Sequence, residues 1–157
     1  MKILDCTLRD GGYINNWLFE NKHILEIIES LEKSNVDIIE CGYLNNKTGH
    51  LFDSTQFKNV EAIDNILVKS PSSLKVAMIN FKDFDLEFLP ECSKTKLNGI
   101  RFAFHKKDLD EALTESKKII QKGYKLFFQP MVSVLYSNEE FTELIQKVNE
   151  LNPHAFY

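Results

Sequence analysis

The sequence has no His-x-His, His-x-x-His or His-Glu-x-x-His pair among its four histidines. A self-contained zinc or metalloprotease motif is therefore excluded. The three cysteines, Cys6, Cys41 and Cys92, lack metal-finger spacing. An odd count without a secretion signal points to reduced thiols and a cytoplasmic chain, and Cys6 and Cys41 read as small core residues in or beside strands. No Gly-rich dinucleotide fingerprint and no phosphate loop occur, which disfavours a doubly wound nucleotide-binding sheet. No apolar run approaches the length of a membrane span, and no signal-peptide pattern opens at Met1, so no membrane association is expected. There is no basic block, and the formal net charge is −4. Nucleic acid is accordingly not an expected partner. Linkers, low-complexity tracts and alignable repeats are also missing, so one domain is expected over residues 1–157.

What is present is a regular alternation. Apolar residues make up 43% of the chain and charged residues 27%, the balance of a globular domain with a real core. A strand is expected over residues 3–6. A helix follows, with Asn21 as N-cap, Ile24, Ile27, Ile28 and Leu31 at helical spacing, and an end at Ser34. Val36–Cys41 reads as a strand closing at Gly42, and Tyr43–Thr55 as a long polar loop. Phe57–Lys69 has a helical pattern that Ser70-Pro71 ends. Leu74–Ile79 is a third strand, and Phe84–Cys92 a short helix interrupted by Pro90. Gly99–Phe104 is a fourth strand. Asp108–Lys122 is a helix capped by Asp108 and stopped by Gly123. Lys125–Gln129 is a fifth strand ended by Pro130, Asn138–Leu151 a last helix, and His154–Tyr157 the opening of a sixth strand. Strands alternating with helices imply right-handed crossovers and a parallel sheet. The fold class is α/β: about five and a half βα units of a (β/α)8 barrel, whose full form needs eight units and about 250 residues. Strands in sequential spatial order are expected, with strand one at an edge.

In such a barrel the chemistry lies at the C-terminal strand ends. The residues read there include Arg9, Asp10, Tyr13, Glu40, Arg101 and His105. Gly11-Gly12 is expected to turn the chain after strand one and to leave Arg9 beside Asp10 at the strand mouth. That pair reads either as a surface ion pair at a turn or as a cation and carboxylate poised for metal and enolate chemistry. Asp5 is weighed between a strand-end hydrogen-bonding group and an orienting partner of Arg9. Glu40 ends an apolar run and needs a partner, which Arg9 or Arg101 could supply. A supporting ion pair is preferred there to direct catalysis. His105 could act as a base or ligand, but an ordinary strand-end residue is the preferred reading.

The run Leu4-Asp5-Cys6-Thr7-Leu8-Arg9-Asp10-Gly11-Gly12-Tyr13 closely resembles the start of the metal-dependent aldolase, lyase and carboxyltransferase TIM barrels. These include 4-hydroxy-2-oxovalerate aldolase, hydroxymethylglutaryl-CoA lyase, the isopropylmalate and homocitrate synthases, and the pyruvate carboxyltransferase domain. Asn15-Asn16-Trp17 and Phe19 are similar to the aldolase branch. The resemblance implies that Asp10 ligates a divalent metal, Mn²⁺ or Mg²⁺, and that Arg9 holds an enolate oxygen. It implies a lyase acting on a 4-hydroxy-2-oxo acid, with a small 2-oxo acid as ligand. The family completes its metal site with a His-x-His pair on a late strand, beyond Tyr157 here. Residues 1–157 are thus expected to form the N-terminal part of one such domain, incomplete as a catalyst. In the aldolase branch a histidine soon after the Arg-Asp-Gly segment serves as base, whereas Tyr13 stands in this chain. The rival expectation is a non-catalytic half-barrel. In either case open edge strands call for a homo-oligomer or a complementing chain.

Overall fold

The computed structural model describes residues 1–68 and 72–157. Strand β1 (Leu4–Asp5) leads into two helical turns, α1 (Thr7–Asp10) and α2 (Gly12–Asn15), and then into helix α3 (Asn21–Lys33). Strand β2 (Ile38–Leu44), the short β3 (Gln56–Phe57), α4 (Val60–Asp64) and β4 (Leu74–Asn80) follow. The rest comprises β5 (Gly99–His105), α5 (Leu109–Gln121), β6 (Lys125–Met131), α6 (Asn138–Leu151) and β7 (Ala155–Phe156). The strands pair in parallel in the order β1-β2-β4-β5-β6-β7, with β3 joined to β2. Sequential parallel order with strand one at an edge is that of a partial (β/α) barrel, a curled sheet carrying its helices on one face.

The period of two along each strand separates the faces. Ile39, Ala77, Ile79, Ile100, Phe102, Phe104, Leu126 and Phe128 point outward and pack with Ile24 and Ile28 of α3, Ala112 and Ile119 of α5, and Leu144 and Val148 of α6. Their neighbours face the concave side in layers. Ile38, Val76 and Phe127, with Leu4, Leu74 and Ala155, form one layer. Tyr43, Met78 and Ala103, with Met131, form another nearer the C-terminal strand ends.

Several boundaries differ from the sequence pattern, each for a local reason. Strand β1 ends at Asp5, because the Asp5 carboxylate accepts from both the amide and the hydroxyl of Thr7, each at 3.0 Å, and starts a helical turn. Strand β2 runs through Gly42 to Leu44, two residues into the expected loop, and β3 follows that loop at Gln56–Phe57, pairing with β2 at Tyr43 and Leu44. The expected helix over Phe57–Lys69 is reduced to Val60–Asp64, where Asn59 caps by accepting from the Ala62 amide at 2.9 Å. Lys69, Ser70 and Pro71 lie outside the described residues. Phe84–Cys92 holds a 3₁₀ turn at Leu86–Phe88, and a second such turn follows at Cys92–Lys94.

Caps differ too. Helix α3 begins at Asn21, and loop residue Asp53 serves its first turn: Asp53 accepts from the Asn21 amide at 3.0 Å while Asn21 accepts from the Asp53 amide at 2.9 Å. Asp108 makes no capping bond to α5; it pairs with Lys82 at 3.2 Å. Helix α6 is capped by Ser137 in a capping box with Glu140. Pro130 lies inside β6, opposite Phe104. The Phe128 carbonyl accepts from the Tyr157 amide on the β7 side. Pro130, two residues on, points the same way but past the end of β7, so its missing N–H breaks no ladder bond.

Candidate active site at the concave strand ends

Arg9 and Asp10 sit on the helical turn α1, not in a glycine turn at the strand end. The Arg9 and Asp10 amides both donate to the Cys6 carbonyl, at 3.0 and 2.8 Å. Gly11 has φ −60°, an ordinary right-handed conformation. Glycine is needed here for close approach: a Cβ on Gly11 would meet the Thr7 carbonyl oxygen at 2.7 Å, and one on Gly12 the Trp17 ring at 2.0 Å. The turn packs against β2 and aims Arg9 across the concave face.

There it meets a buried carboxylate. Glu40 on β2 has a fully buried side chain, while those of Arg9 and Arg101 are 11% and 10% exposed. Arg9 Nε donates to Glu40 Oε1, and Arg101 Nη1 on β5 donates to Glu40 Oε2 at 2.9 Å. Arg101 Nε donates to Gln129 Oε1 on β6 at 2.6 Å, and its guanidinium lies 5.2 Å from the centre of the Tyr157 ring. Two cations thus share one anion, and the trio keeps a net positive charge. Burial pulls the Arg9 pKa down, but the charge and hydrogen bond of Glu40, with Asp10, more than offset this and leave it raised. Asp10 flanks the cluster with its side chain 54% exposed. It accepts from Arg9 Nη1 at one oxygen, and at the other from Arg9 Nη2 and the Cys6 thiol, both at 3.1 Å. Burial and then the Asp10 hydrogen bond raise the Cys6 thiol pKa, so it is a donor there and not a thiolate.

A second polar group lines the mouth. The ladder shifts register between Glu40, opposite Val76, and Tyr43, opposite Met78. One extra residue is thereby accommodated at Gly42, whose φ is +147°. The bulge turns Tyr43 onto the same concave face as Glu40. The Tyr43 hydroxyl donates to Asn80 Oδ1 at 3.0 Å, and the Tyr13 hydroxyl lies 3.5 Å from it. Asn80 Nδ2 donates to Asp83 Oδ2 at 3.1 Å.

The structure therefore brings Arg9, Asp10, Glu40 and Arg101 together, with Tyr13 at the rim. The two bonds of the Asp5 carboxylate go to Thr7, so it shapes the turn that carries Arg9. His105 ends β5, exposed, beside a cavity of about 210 Å³ lined also by Asn80, Asp83 and Asp108. Tyr157 and Asp83 were not singled out in the sequence, whereas Gln129 is among the residues read at the mouth of the fifth strand. Gln129 had a usable signal, as the one polar side chain between Phe127 and Met131 on an alternating face. Tyr157 and Asp83 had none.

The donors present do not by themselves fit a divalent cation. Mg²⁺ and Ca²⁺ sites take six or more oxygen ligands, several of them from protein or substrate. Among the described residues no group of three or more His, Cys, Asp or Glu side chains converges. Glu40 is held between two guanidiniums, which leaves Asp10 as the accessible carboxylate of the cluster.

A parallel partial barrel with an Arg–Glu–Arg cluster on its concave face is the class of structure that these observations define. No family model matches the chain. Two 2-isopropylmalate synthases of Staphylococcus epidermidis, from strains RP62A and ATCC 12228, are 29% identical to it over 153 aligned residues. The alignment covers 90% of this chain but 27% of each synthase, so the chain spans about a quarter of the length of these curated relatives. The N-terminal domain of a candidate aldolase from Bacteroides vulgatus shares the fold, with a TM-score of 0.66 and 22% identity. That match covers 100% of this chain and 62% of the other. The sequence relation is weak, and the structural match shows a shared fold. Among the described residues no helix is long and apolar enough to cross a membrane.

Proposed function

We propose that the chain is the N-terminal part of an aldolase-type barrel domain, and that the concave cluster binds a small 2-oxo acid. The finer reading is a carbon–carbon lyase for 4-hydroxy-2-oxo acids. Its reaction breaks the C3–C4 bond, the hydroxyl proton leaves, an aldehyde departs, and the electron pair passes to the enolate oxygen of the remaining 2-oxo acid. The enolate is then protonated at C3. The observation that carries this reading is the preorganised trio of Arg9, Glu40 and Arg101. Three of the five N–H groups of Arg9 are engaged by Glu40 and Asp10, which fixes the guanidinium and leaves two donors for a ligand oxygen. A donor held in place before charge develops is what stabilises an enolate. As part of this reading, Asp10 would supply one ligand to Mn²⁺ or Mg²⁺, the others coming from outside these residues. A cytoplasmic setting belongs to it as well, supported by three free cysteines.

Oxalate, a planar mimic of the enolate, is the probe. Titrating it calorimetrically into the wild-type protein and into Arg9→Lys is expected to show affinity reduced about tenfold in the variant, since a point charge cannot reproduce the guanidinium fork. Equal affinities would overturn the assignment of Arg9.

A second reading, a non-catalytic assembly module, is favoured by the open edges. β1 and β7 each pair on one side only, and Ile3 and Tyr157 beside them are 56% and 47% exposed. A cavity of about 720 Å³ lined by Leu18, Phe19, Ile27 and Leu31 lies along α3, the helix that follows the β1 edge. Under either reading, association with a second copy or a complementing chain covers these surfaces. Sedimentation velocity is expected to show a dimer or larger species; a stable monomer at high concentration would count against it.

A further inference from the structure

The hydrogen bonds from Tyr13 to Asp83 form a chain with a definite direction, and that direction is set at its far end. A carboxylate only accepts, so Asp83 requires the amide nitrogen of Asn80 to face it, at 3.1 Å. The flipped amide would put two oxygens against each other. With its nitrogen committed to Asp83, Asn80 presents its oxygen to Tyr43 at 3.0 Å, and the Tyr43 hydroxyl must donate. Having spent its one proton there, the Tyr43 oxygen can only accept from Tyr13, at 3.5 Å. The Tyr13 hydroxyl proton therefore points inward, and the lone pairs of its oxygen point away from the Tyr43–Asn80–Asp83 chain. Tyr13 is 60% exposed, whereas Tyr43 is 5% exposed.

The rings that carry these hydroxyls are held in place. Trp17 packs edge-on against Tyr13, with centroids 5.0 Å apart, and against Tyr43 at 6.4 Å. Gly12 permits this by leaving room for the Trp17 ring. The last link is the longest, against about 2.7–2.8 Å for a strong O–H···O bond, so the exposed hydroxyl can tilt toward a ligand without breaking the buried links. Tyr43 also stays a donor: burial, then the neighbouring Tyr13 hydroxyl, raise its pKa, although Asn80 and the Arg9 charge lower it. Tyr43 lies on the concave face of β2, three residues beyond Glu40 across the bulge, so the chain and the Arg–Glu–Arg trio open on the same face of the sheet. Donors are thus offered by the guanidiniums and an acceptor by Tyr13, a combination suited to an anion that also bears a hydroxyl group.

We propose that Tyr13 reads the hydroxyl of the ligand: its phenol oxygen accepts a hydrogen bond from the 4-hydroxyl group of a 4-hydroxy-2-oxo acid, and Tyr43, Asn80 and Asp83 are the positioning residues that give that oxygen its polarity. The inference rests on the 2-oxo acid reading above and adds the feature that selects among such acids. Tyr13 acts here as an acceptor whose own proton is committed inward. The amide of Asn80 interrupts proton transfer along the chain, so the chain orients without conducting.

The test compares 4-hydroxy-2-oxopentanoate with 2-oxopentanoate, which differ only in the hydroxyl. Each is titrated calorimetrically in metal-free buffer. One well-placed neutral hydrogen bond is expected to favour the hydroxy acid about five- to tenfold in the wild-type protein. Tyr13→Phe and Tyr43→Phe are each expected to bring the affinity ratio down toward one. The double variant Tyr13→Phe/Tyr43→Phe should fall no further than either single one, because both act through one bond. Tyr43→Phe keeps the ring packed on Trp17, so it removes the hydroxyl without opening a cavity. A merely structural role would move both affinities together and leave their ratio intact. A ratio near one in the wild-type protein, or one that survives Tyr43→Phe, would overturn the inference while the 2-oxo acid reading stands. Failure of both acids to bind would overturn the two together.

Discussion

Replacing Glu40 by Gln is expected to lower the unfolding free energy by about 3–5 kcal/mol. The carboxylate is fully buried and is the shared counterion of Arg9 and Arg101, whose side chains are themselves about nine-tenths buried. An amide can accept from one guanidinium, but its NH₂ group then faces the other, and two largely buried cations remain with no anion between them. The loss comes mostly from leaving those charges unpaired, not from the intrinsic strength of the original pair. Urea denaturation should show a lower midpoint at unchanged slope. The triple variant Glu40→Gln, Arg9→Met and Arg101→Met should regain much of the loss, because apolar side chains of similar volume remove the desolvation penalty. A loss below about 1 kcal/mol in the single variant would mean that the guanidiniums are solvated in the native state.

Gly42→Ala is expected to cost about 2–4 kcal/mol, through a different mechanism. Its φ of +147° is a conformation that L side chains rarely adopt. An added Cβ would also meet the Thr55 carbonyl oxygen at 2.2 Å and the Phe57 ring at 2.9 Å. Thr55 cannot withdraw freely, because its carbonyl accepts from the Tyr43 amide at 2.8 Å and ties β3 to β2. Gly123→Ala is the control. Its φ is +86°, yet its Cβ would meet only the Cys92 side chain, at an ordinary 3.5 Å. That variant should lose about 1 kcal/mol from backbone strain alone. Equal losses at the two positions would mean that the contact with Thr55 contributes nothing. Because the bulge also turns Tyr43 inward, Gly42→Ala should disturb the Tyr43–Asn80 bond as well as stability.

The parts of the fold legible in the sequence were those governed by long apolar runs. Leu74–Ile79, Gly99–Phe104 and Lys125–Gln129 announce buried parallel strands because both of their faces are covered. Helices α5 and α6 show a full apolar stripe, and their limits fall within a residue of the pattern. Elsewhere a side chain or a count decided the outcome. Two oxygens of Asp5 ended β1 before the apolar pattern did, and Asp53 supplied a cap from across a loop. The bulge at Gly42 inverted the in–out alternation of β2, a change of parity that a single sequence does not display. Arg9, Asp10, Glu40 and Arg101 stood out as residues at strand ends. Their arrangement around a single carboxylate, and the path from Tyr13 to Asp83, depend on that parity and on how closely β2, β4, β5 and β6 approach.

The strictly sequential strand order also bears on how the protein is made. Leu4 pairs with Ile38, Ile38 with Leu74, Val76 with Gly99, Gly99 with Lys125, and Phe127 with Ala155. As the chain leaves the ribosome, each new strand finds the neighbour that precedes it in the sheet already in place. The growing edge moves forward with translation and is covered one βα unit at a time. The other edge of the described sheet is β1. Its two-residue length, cut short by the Asp5 turn, limits the free ladder that a strand added there could use.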